Sequence, residues 1–159
     1  MSSPNVELQL LAAPVKQLDL TDYCLVTVDT TVRDTIERMR EKRQNCALVV
    51  GKGTQIVGIL TDRDVLRRVV SAPETWDEPV ETVMTRAPKT ILPDSSTGDA
   101  LRMMEAGRYR NVPVVNANGV LRGNVTHFAI LKFLTDHFAE AVYNLPPDPT
   151  NYAQERDGG

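Results

Sequence analysis

The chain has 159 residues, 42% of them hydrophobic and 25% charged, an ordinary balance for a globular protein long enough to bury a real core. A formal charge of −3 at pH 7 excludes the broad basic face that non-specific binding to nucleic acid or an anionic membrane needs, while leaving room for a local basic pocket. No apolar run approaches the roughly 20 residues of a membrane span, and no basic residue precedes Lys16, so neither a span nor a signal peptide is expected and a cytoplasmic location is the default.

Leu25 to Val28 reads as a short strand rich in β-formers, and Thr31 followed by Asp34 is a capping-box-like helix start. Val32, Ile36 and Met39 fall at i, i+4 and i+7, giving that helix one apolar face. Cys46 to Val50 is an apolar run of buried-strand type, Gly51-Lys52-Gly53 turns the chain, and Gln55 to Leu60 is the return strand. A second helix starts at Thr61 and is expected to carry Val65, Leu66 and Val69 inward. The order is β-α-β-β-α.

The same pattern returns 65 positions later without insertion or deletion: Pro14-Val15 becomes Pro79-Val80, Asp29 becomes Asp94, Asp34 becomes Asp99, Met39 becomes Met104, Val49-Val50 becomes Val114-Val115, Gly58 becomes Gly123 and Thr61 becomes Thr126. That period exceeds the roughly 20–50 residues of solenoid repeats, so it implies two copies of a small domain packed against each other, with clefts related by a pseudo-two-fold axis. In the second copy Thr90 to Leu92 reads as a strand, and Ser96 with Asp99 caps a helix that bears Ala100, Leu101 and Met104 and ends near Gly107. Val112 to Val115 and Val120 to Val125 form a hairpin across Asn116 to Gly119, and the last helix runs from Thr126 to about Tyr143. The chain therefore divides into an N-terminal extension (1–13), a first repeat (14–70), a linker (71–78), a second repeat (79–135), an extension of the last helix (136–145) and a proline-rich tail (146–159), where Pro146, Pro147 and Pro149 forbid helix and an extended or disordered course is expected.

Two β-α-β-β-α copies with opening proline-valine segments, "VDTTV" and "LPDSST" helix starts, "ALVV" and "VPVV" strands, and glycine-led strands entering "GILTDRD" and "GNVTHFA" resemble a tandem pair of cystathionine β-synthase (CBS) domains, a Bateman module. The resemblance runs from about Pro14 to Thr135. It implies an α/β (α+β) fold of two CBS repeats about a pseudo-two-fold axis, and a regulatory module that holds AMP, ADP, ATP or sometimes S-adenosylmethionine between the copies and commonly pairs into a homodimer.

Within Gly58 to Asp64 a strand runs directly into a helix N-terminus, where free N–H groups and the helix dipole favour an anion. By the resemblance, Thr61 faces phosphate and Asp64 accepts from both ribose hydroxyls, as suits a carboxylate with two acceptor oxygens. Thr-x-x-Asp is equally a helix cap, which alone stabilises a helix start by about 1 kcal/mol, and Thr61 can serve both ends. Asp62, Arg63 and Arg110 are further nucleotide-binding candidates, the arginines as phosphate partners, and Val28 and Ile59 are candidate walls of an adenine slot. The second copy departs from the pattern: Thr126 is retained, but His127 and Phe128 replace Asp62 and Arg63, and Ala129 replaces Asp64. One competent site per chain is expected, with a weaker or differently selective one at Thr126 and His127. Arg43 and Arg108 sit at helix C-termini, where the dipole alone accounts for a cation.

Cys24 and Cys46, outside any CxxC or Cys/His pattern, are expected to be small buried apolar residues rather than a disulfide or metal ligands. His127 and His137, ten apart on one helix, are separated by about 15 Å along its axis at about 1.5 Å per residue and cannot pair. Trp76 is expected over the junction between copies, and Phe128, Phe133, Phe138 and Tyr143 to form a packing face that also meets a second protomer. No Ser/His/Asp set, metal cluster, Walker-type loop or nucleophile motif is present, so no catalysis and no metal is expected. The leading expectation is an adenosine-nucleotide sensor that shifts between arrangements and signals in trans to an unknown regulated protein. The alternatives are a structural adaptor that binds no nucleotide, an S-adenosylmethionine sensor, and a conjugation tail ending in Gly158-Gly159.

Overall fold

The computed structural model describes residues 6–143, so the expectations for the proline-rich tail and for Gly158-Gly159 lie outside the described residues. The first half places β1 (Cys24–Thr27), β2 (Cys46–Val50) and β3 (Ile56–Thr61) in one sheet, with α2 (Val32–Glu41) crossing between the parallel strands β1 and β2. Strand β2 is buried at every position, whereas β1 alternates, with Cys24 and Val26 inward. Thr31 caps α2 as its spacing suggests, its hydroxyl accepting from the Asp34 N–H at 3.1 Å.

The second half repeats this with α4 (Thr97–Gly107) and the hairpin of β5 (Asn111–Val115) and β6 (Leu121–Thr126), followed by α5 (His127–Tyr143). Ser96 caps α4 by accepting from the Asp99 N–H at 3.0 Å. Both hairpins carry a bulge at the same repeat position, between Val49 and Val50 and between Val114 and Val115. The strand expected over Thr90 to Leu92 is reduced to a single parallel bridge, Ile91 to Val114. Pro113, standing where the first copy has Leu48, has no N–H to supply the preceding rung, and the ladder stops.

Each copy's opening segment docks on the other copy. Val15 N–H donates to Ser95 O at 2.8 Å and Val80 N–H to Thr30 O at 2.7 Å, so the two contacts are the same contact shifted by one repeat. The segment that follows joins the other copy's sheet: β4 (Thr85–Arg86) pairs with β3, and Leu20 O correspondingly accepts from Asn124 N–H in β6. Two cores result. Val80, Val83 and Met84 pack with Val26, Val49 and Leu60, while Val15 and Leu18 pack with Val112, Val125 and Ile130. A third cluster of Cys46, Leu48 and Ile59, flanked by the repeat-equivalent Ile56 and Leu121, joins the halves. The two repeats thus pack about a pseudo-two-fold axis in a mixed α+β fold.

The N-terminal extension and the linker are also repeat counterparts. Helix α1 (Val6–Ala12) lies against α4 and α5, and the linker, a 3-10 helix at Pro73–Asp77, lies against α2. Trp76 therefore packs on the first core rather than over the junction, with the Arg33 guanidinium 5.5 Å from its ring centroid and Arg33 Nε bonded to Asp77 at 3.1 Å.

The helix after β3 is a single α-turn, α3 (Asp62–Asp64), continued by a π-helix at Val65–Val69. Val69 is buried and Val65 partly so, but Leu66 is 70% exposed, contrary to the inward position expected. Val65 and Val69 share one face of the widened turn, which rotates Leu66 and Val70 outward together. The aromatic residues of α5 likewise do not form one face: Phe133 is buried, Phe128 and Phe138 are exposed, and the side chain of Tyr143 lies outside the described residues.

Candidate functional site

At the end of β3, Thr61 and Asp64 form a reciprocal capping box. The Asp64 N–H donates to Thr61 Oγ1 at 3.3 Å, while Thr61 donates its backbone N–H and its hydroxyl to Asp64 Oδ2, both at 3.0 Å. Among the described residues Oδ1 meets only the Thr85 hydroxyl at 3.4 Å and Arg68 at 4.0 Å, and so retains acceptor capacity. The carboxylate is 13% exposed, which leaves it reachable from one side. The capping function is therefore real, and it is carried by Oδ2, leaving Oδ1 with room for a further donor.

That side is a cleft of about 650 Å³ between β3–α3, the β4 segment and the turn from α4 into β5. The volume is of the size that holds a nucleotide-like small molecule. Of the residues singled out from sequence, Ile59, Thr61, Asp62, Arg63, Asp64 and Arg110 all line it. Val28 does not; it follows β1, at the far edge of a sheet whose order puts β2 between β1 and β3, and it packs on the first core instead. Apolar surface beside Ile59 comes from Leu66, Ala87 and Pro88. Ala87 has a left-handed backbone, φ +45°, a conformation that costs a non-glycine residue about 1 kcal/mol and that here bends the chain along the cleft wall.

Positive charge dominates the lining. Arg63, Arg67 and Arg68 come from the helix after Thr61, Arg86 and Lys89 from the β4 segment, and Arg108 and Arg110 from the turn after α4, against only Asp62 and Asp64. Seven of the chain's 18 lysines and arginines thus converge in a protein of net charge −3. Arg68 donates to Val83 O and Met84 O, Arg86 lies 3.7 Å from Glu81, and Arg63 reaches Arg108 O at 3.5 Å. Sequence reasoning singled out only Arg63 and Arg110 of the seven as ligand contacts. The crowding of arginine within residues 63–68 and 108–110 was the available signal, but their convergence depends on how the two halves pack. Arg108 does hold the helix-end position expected, as the left-handed C-cap of α4 at φ 55°, and its repeat partner Arg43 has φ 52°.

The counterpart cleft differs in size and sign. It encloses about 200 Å³ and is lined by Asp19, Thr21, Asp22, Gln44, Thr126, Phe128, Ala129 and Lys132. Thr126 caps α5 by accepting from the Ala129 N–H at 2.9 Å, and His127 is exposed outside the lining, its N–H donating to Arg110 O. The Thr21 hydroxyl, at 2.6 Å from Asp19 Oδ1, and the Thr21 N–H hold the Asp19 carboxyl below its usual range, so this wall stays negative. Asn124 stands where the first copy has Ile59; its Nδ2 donates to Asn111 Oδ1 at 3.0 Å and to Asp22 O at 3.1 Å, filling with polar bonds what is apolar in the larger cleft.

The repeat seen in sequence and structure matches a known family model, described as the CBS domain, twice, at residues 15–71 and 80–136. The chain belongs to the CBS domain family. As a CBS pair it is 29% identical over 126 residues to the uncharacterized 17.7 kDa protein in the bps2 3' region of Acidianus ambivalens, covering 79% of this chain and 76% of that one. It is 34% identical over 108 residues to the CBS domain-containing protein CBSCBSPB1 of Arabidopsis thaliana, covering 67% of this chain but spanning only 20% of that relative's length. Among solved structures it resembles Arabidopsis thaliana CBSX2 in complex with AMP, with a TM-score of 0.67 and 25% identity over 77% of this chain and 96% of that one.

Outside the two clefts the described residues of the CBS pair hold few reactive groups. Cys24 and Cys46 are both buried, as expected, and burial pushes the Cys46 thiol up to about 12. His137 packs on Phe133 with ring centroids 4.0 Å apart and bonds its carbonyl through Nδ1, while His127 is the first residue of the same helix. No helix among the described residues is long and apolar enough to cross a membrane.

Proposed function

We propose that this CBS pair is a non-catalytic regulatory module that binds an adenosine nucleotide in the larger cleft and passes the signal to a partner in trans. The observation that carries the reading is the placement of the Thr61–Asp64 box on one wall of a 650 Å³ cleft whose other walls supply apolar surface and cations. Asp64 Oδ1 is suited to the ribose diol, Thr61 and Arg63 to the phosphate beside it, Arg110 to the phosphate from the opposite wall, and Ile59 to the flat face of a base. Asp62 already accepts from the Arg63 N–H at 2.8 Å and is better suited to holding the turn than to meeting an anion. The resemblance to CBSX2, whose structure contains AMP, supports the same ligand class. The smaller cleft at Thr126, acidic and without the ribose carboxylate, is the weaker site.

Calorimetric titration with AMP, ADP, ATP and S-adenosylmethionine tests the reading. One adenosine ligand is expected to bind with a stoichiometry of one per chain. Asp64→Asn keeps an acceptor for the Thr61 N–H, so its melting temperature should stay close to that of the parent, while nucleotide affinity falls about 10- to 100-fold through loss of a charge-assisted bond. Unchanged affinity in Asp64→Asn rejects the ribose assignment, and binding of S-adenosylmethionine alone rejects the nucleotide in favour of that sensor.

The reading includes a homodimer. Leu66 and Val70 on one helix and Leu131 and Phe138 on α5 are exposed apolar side chains, and Leu66 and Leu131 are repeat equivalents, as a surface shared by two copies about a common axis requires. Sedimentation equilibrium of Leu66→Asp with Leu131→Asp, expected to be monomeric against a dimeric parent, checks this.

A further inference from the structure

We infer that the larger cleft is built for a ligand bearing a chain of phosphates, and that it discriminates in favour of a nucleoside triphosphate over a monophosphate. The inference rests on the nucleotide reading of the same cleft and adds a preference that the ribose contact cannot supply. Seven cationic side chains face two carboxylates, a net excess of five positive charges in one concavity. One phosphate monoester carries about two negative charges and leaves most of that excess unneutralised, whereas each further phosphoryl group offsets more of it.

The distribution of the cations points the same way. Arg67, Lys89, Arg108 and Arg110 make no side-chain hydrogen bond or ion pair among the described residues, and they arise from three separate segments around the cleft. A single phosphate beside Thr61 is already served by Arg63 and Arg110. Three further unpaired cations on separate walls, Arg67, Lys89 and Arg108, repel one another, and an extended polyanion relieves that repulsion by bridging them. The counterpart cleft, with Asp19 and Asp22 against Lys132, lacks this feature, so the charge is not a general consequence of the repeat.

The test compares AMP, ADP, ATP and inorganic tripolyphosphate by calorimetry, with the parent chain and with Arg67→Gln/Lys89→Gln. ATP is expected to bind the parent at least about tenfold tighter than AMP, since each charge-assisted bond contributes on that order even after solvent screening. Raising the salt concentration should weaken ATP more steeply than AMP. In the double variant the ATP-to-AMP ratio should shrink, with AMP affinity less affected; circular dichroism establishes that the variant is folded. Equal affinity for AMP and ATP overturns the phosphate-chain preference and leaves the nucleotide reading standing. Binding of tripolyphosphate without any nucleotide overturns the nucleotide reading together with the nucleoside triphosphate preference that rests on it, and binding of neither overturns both.

Discussion

Val15 and Val80 stand at equivalent places in the two repeats, and each lies in the core of the opposite half: Val15 among Val112, Val125 and Ile130, Val80 among Val26, Val49 and Leu60. Both are fully buried, so truncation to alanine removes two methyl groups from a packed site and should destabilise the protein by about 2 kcal/mol in urea titration. The distinguishing result lies in where protection is lost. In Val15→Ala, hydrogen exchange should accelerate in β5 and β6 rather than in β1 and β2, although Val15 is nearer the latter in sequence. Loss centred on β1 and β2 would contradict the exchange of opening segments.

Gly123 marks a close approach of an exchanged segment to a strand. A Cβ there would lie 2.5 Å from Leu20 Cβ and 3.0 Å from Leu20 O, and backbone cannot yield as a side-chain tip can. Gly123→Ala should therefore cost roughly 1–3 kcal/mol, as overpacking does. Gly119 provides the contrast: its φ is +77° with open space around it, so Gly119→Asn should cost little, because asparagine tolerates the left-handed region. Equal thermal stability of the Gly123→Ala variant and the parent would remove the close approach from the account.

The parts of this fold that were readable in sequence are those decided locally. Thr31 with Asp34, Ser96 with Asp99 and Thr61 with Asp64 are caps formed within four residues, and Cys46–Val50 is apolar at every position because both of its faces are covered. The exchange was not readable: a Pro-Val segment is complementary to its own copy and to the other alike, and only three-dimensional reach selects between them. An α-helical period turns Leu66 inward, whereas the π-helical turn that forms there exposes it. Thr61, Asp64, Ile59, Arg63 and Arg110 line one cleft, whereas Lys89 and Arg86 arrive there only because β4 joins the first half's sheet. Val28 was placed by apolar character alone, and strand order moved it to the other edge.

Cys46 predicts an alkaline limit to stability. Desolvation, reinforced by the nearby Cys24, raises its thiol from 9.0 to about 12, so the folded chain keeps a proton that the unfolded chain releases. A raised folded-state pKa gives stability that is complete below pH 9.0 and is lost as pH rises toward about 12, at up to about 1.4 kcal/mol per pH unit. Other groups titrate in that window, so the informative quantity is a difference. The urea midpoint of the parent should fall more steeply between about pH 9 and pH 11 than that of Cys46→Ala, which has no thiol at this position. Parallel slopes would show that the thiol contributes nothing.

Ala129→Asp asks whether one carboxylate is enough to make the second cleft a nucleotide site. Ala129 is the counterpart of Asp64 and already donates its N–H to Thr126, so an aspartate there can complete the same capping box. The remaining differences are of size and charge: about 200 Å³ against about 650 Å³, Phe128 in place of Arg63, Asn45 in place of Arg110, and the charged Asp19 and Asp22 facing any incoming phosphate. Adding an aspartate increases the negative charge that a nucleotide must approach. Calorimetry should therefore still give one nucleotide per chain for Ala129→Asp, with helix stability unchanged or slightly raised by the completed cap. If two equal sites appear, the ribose carboxylate alone selects the ligand, and the basic lining of the larger cleft has a different purpose.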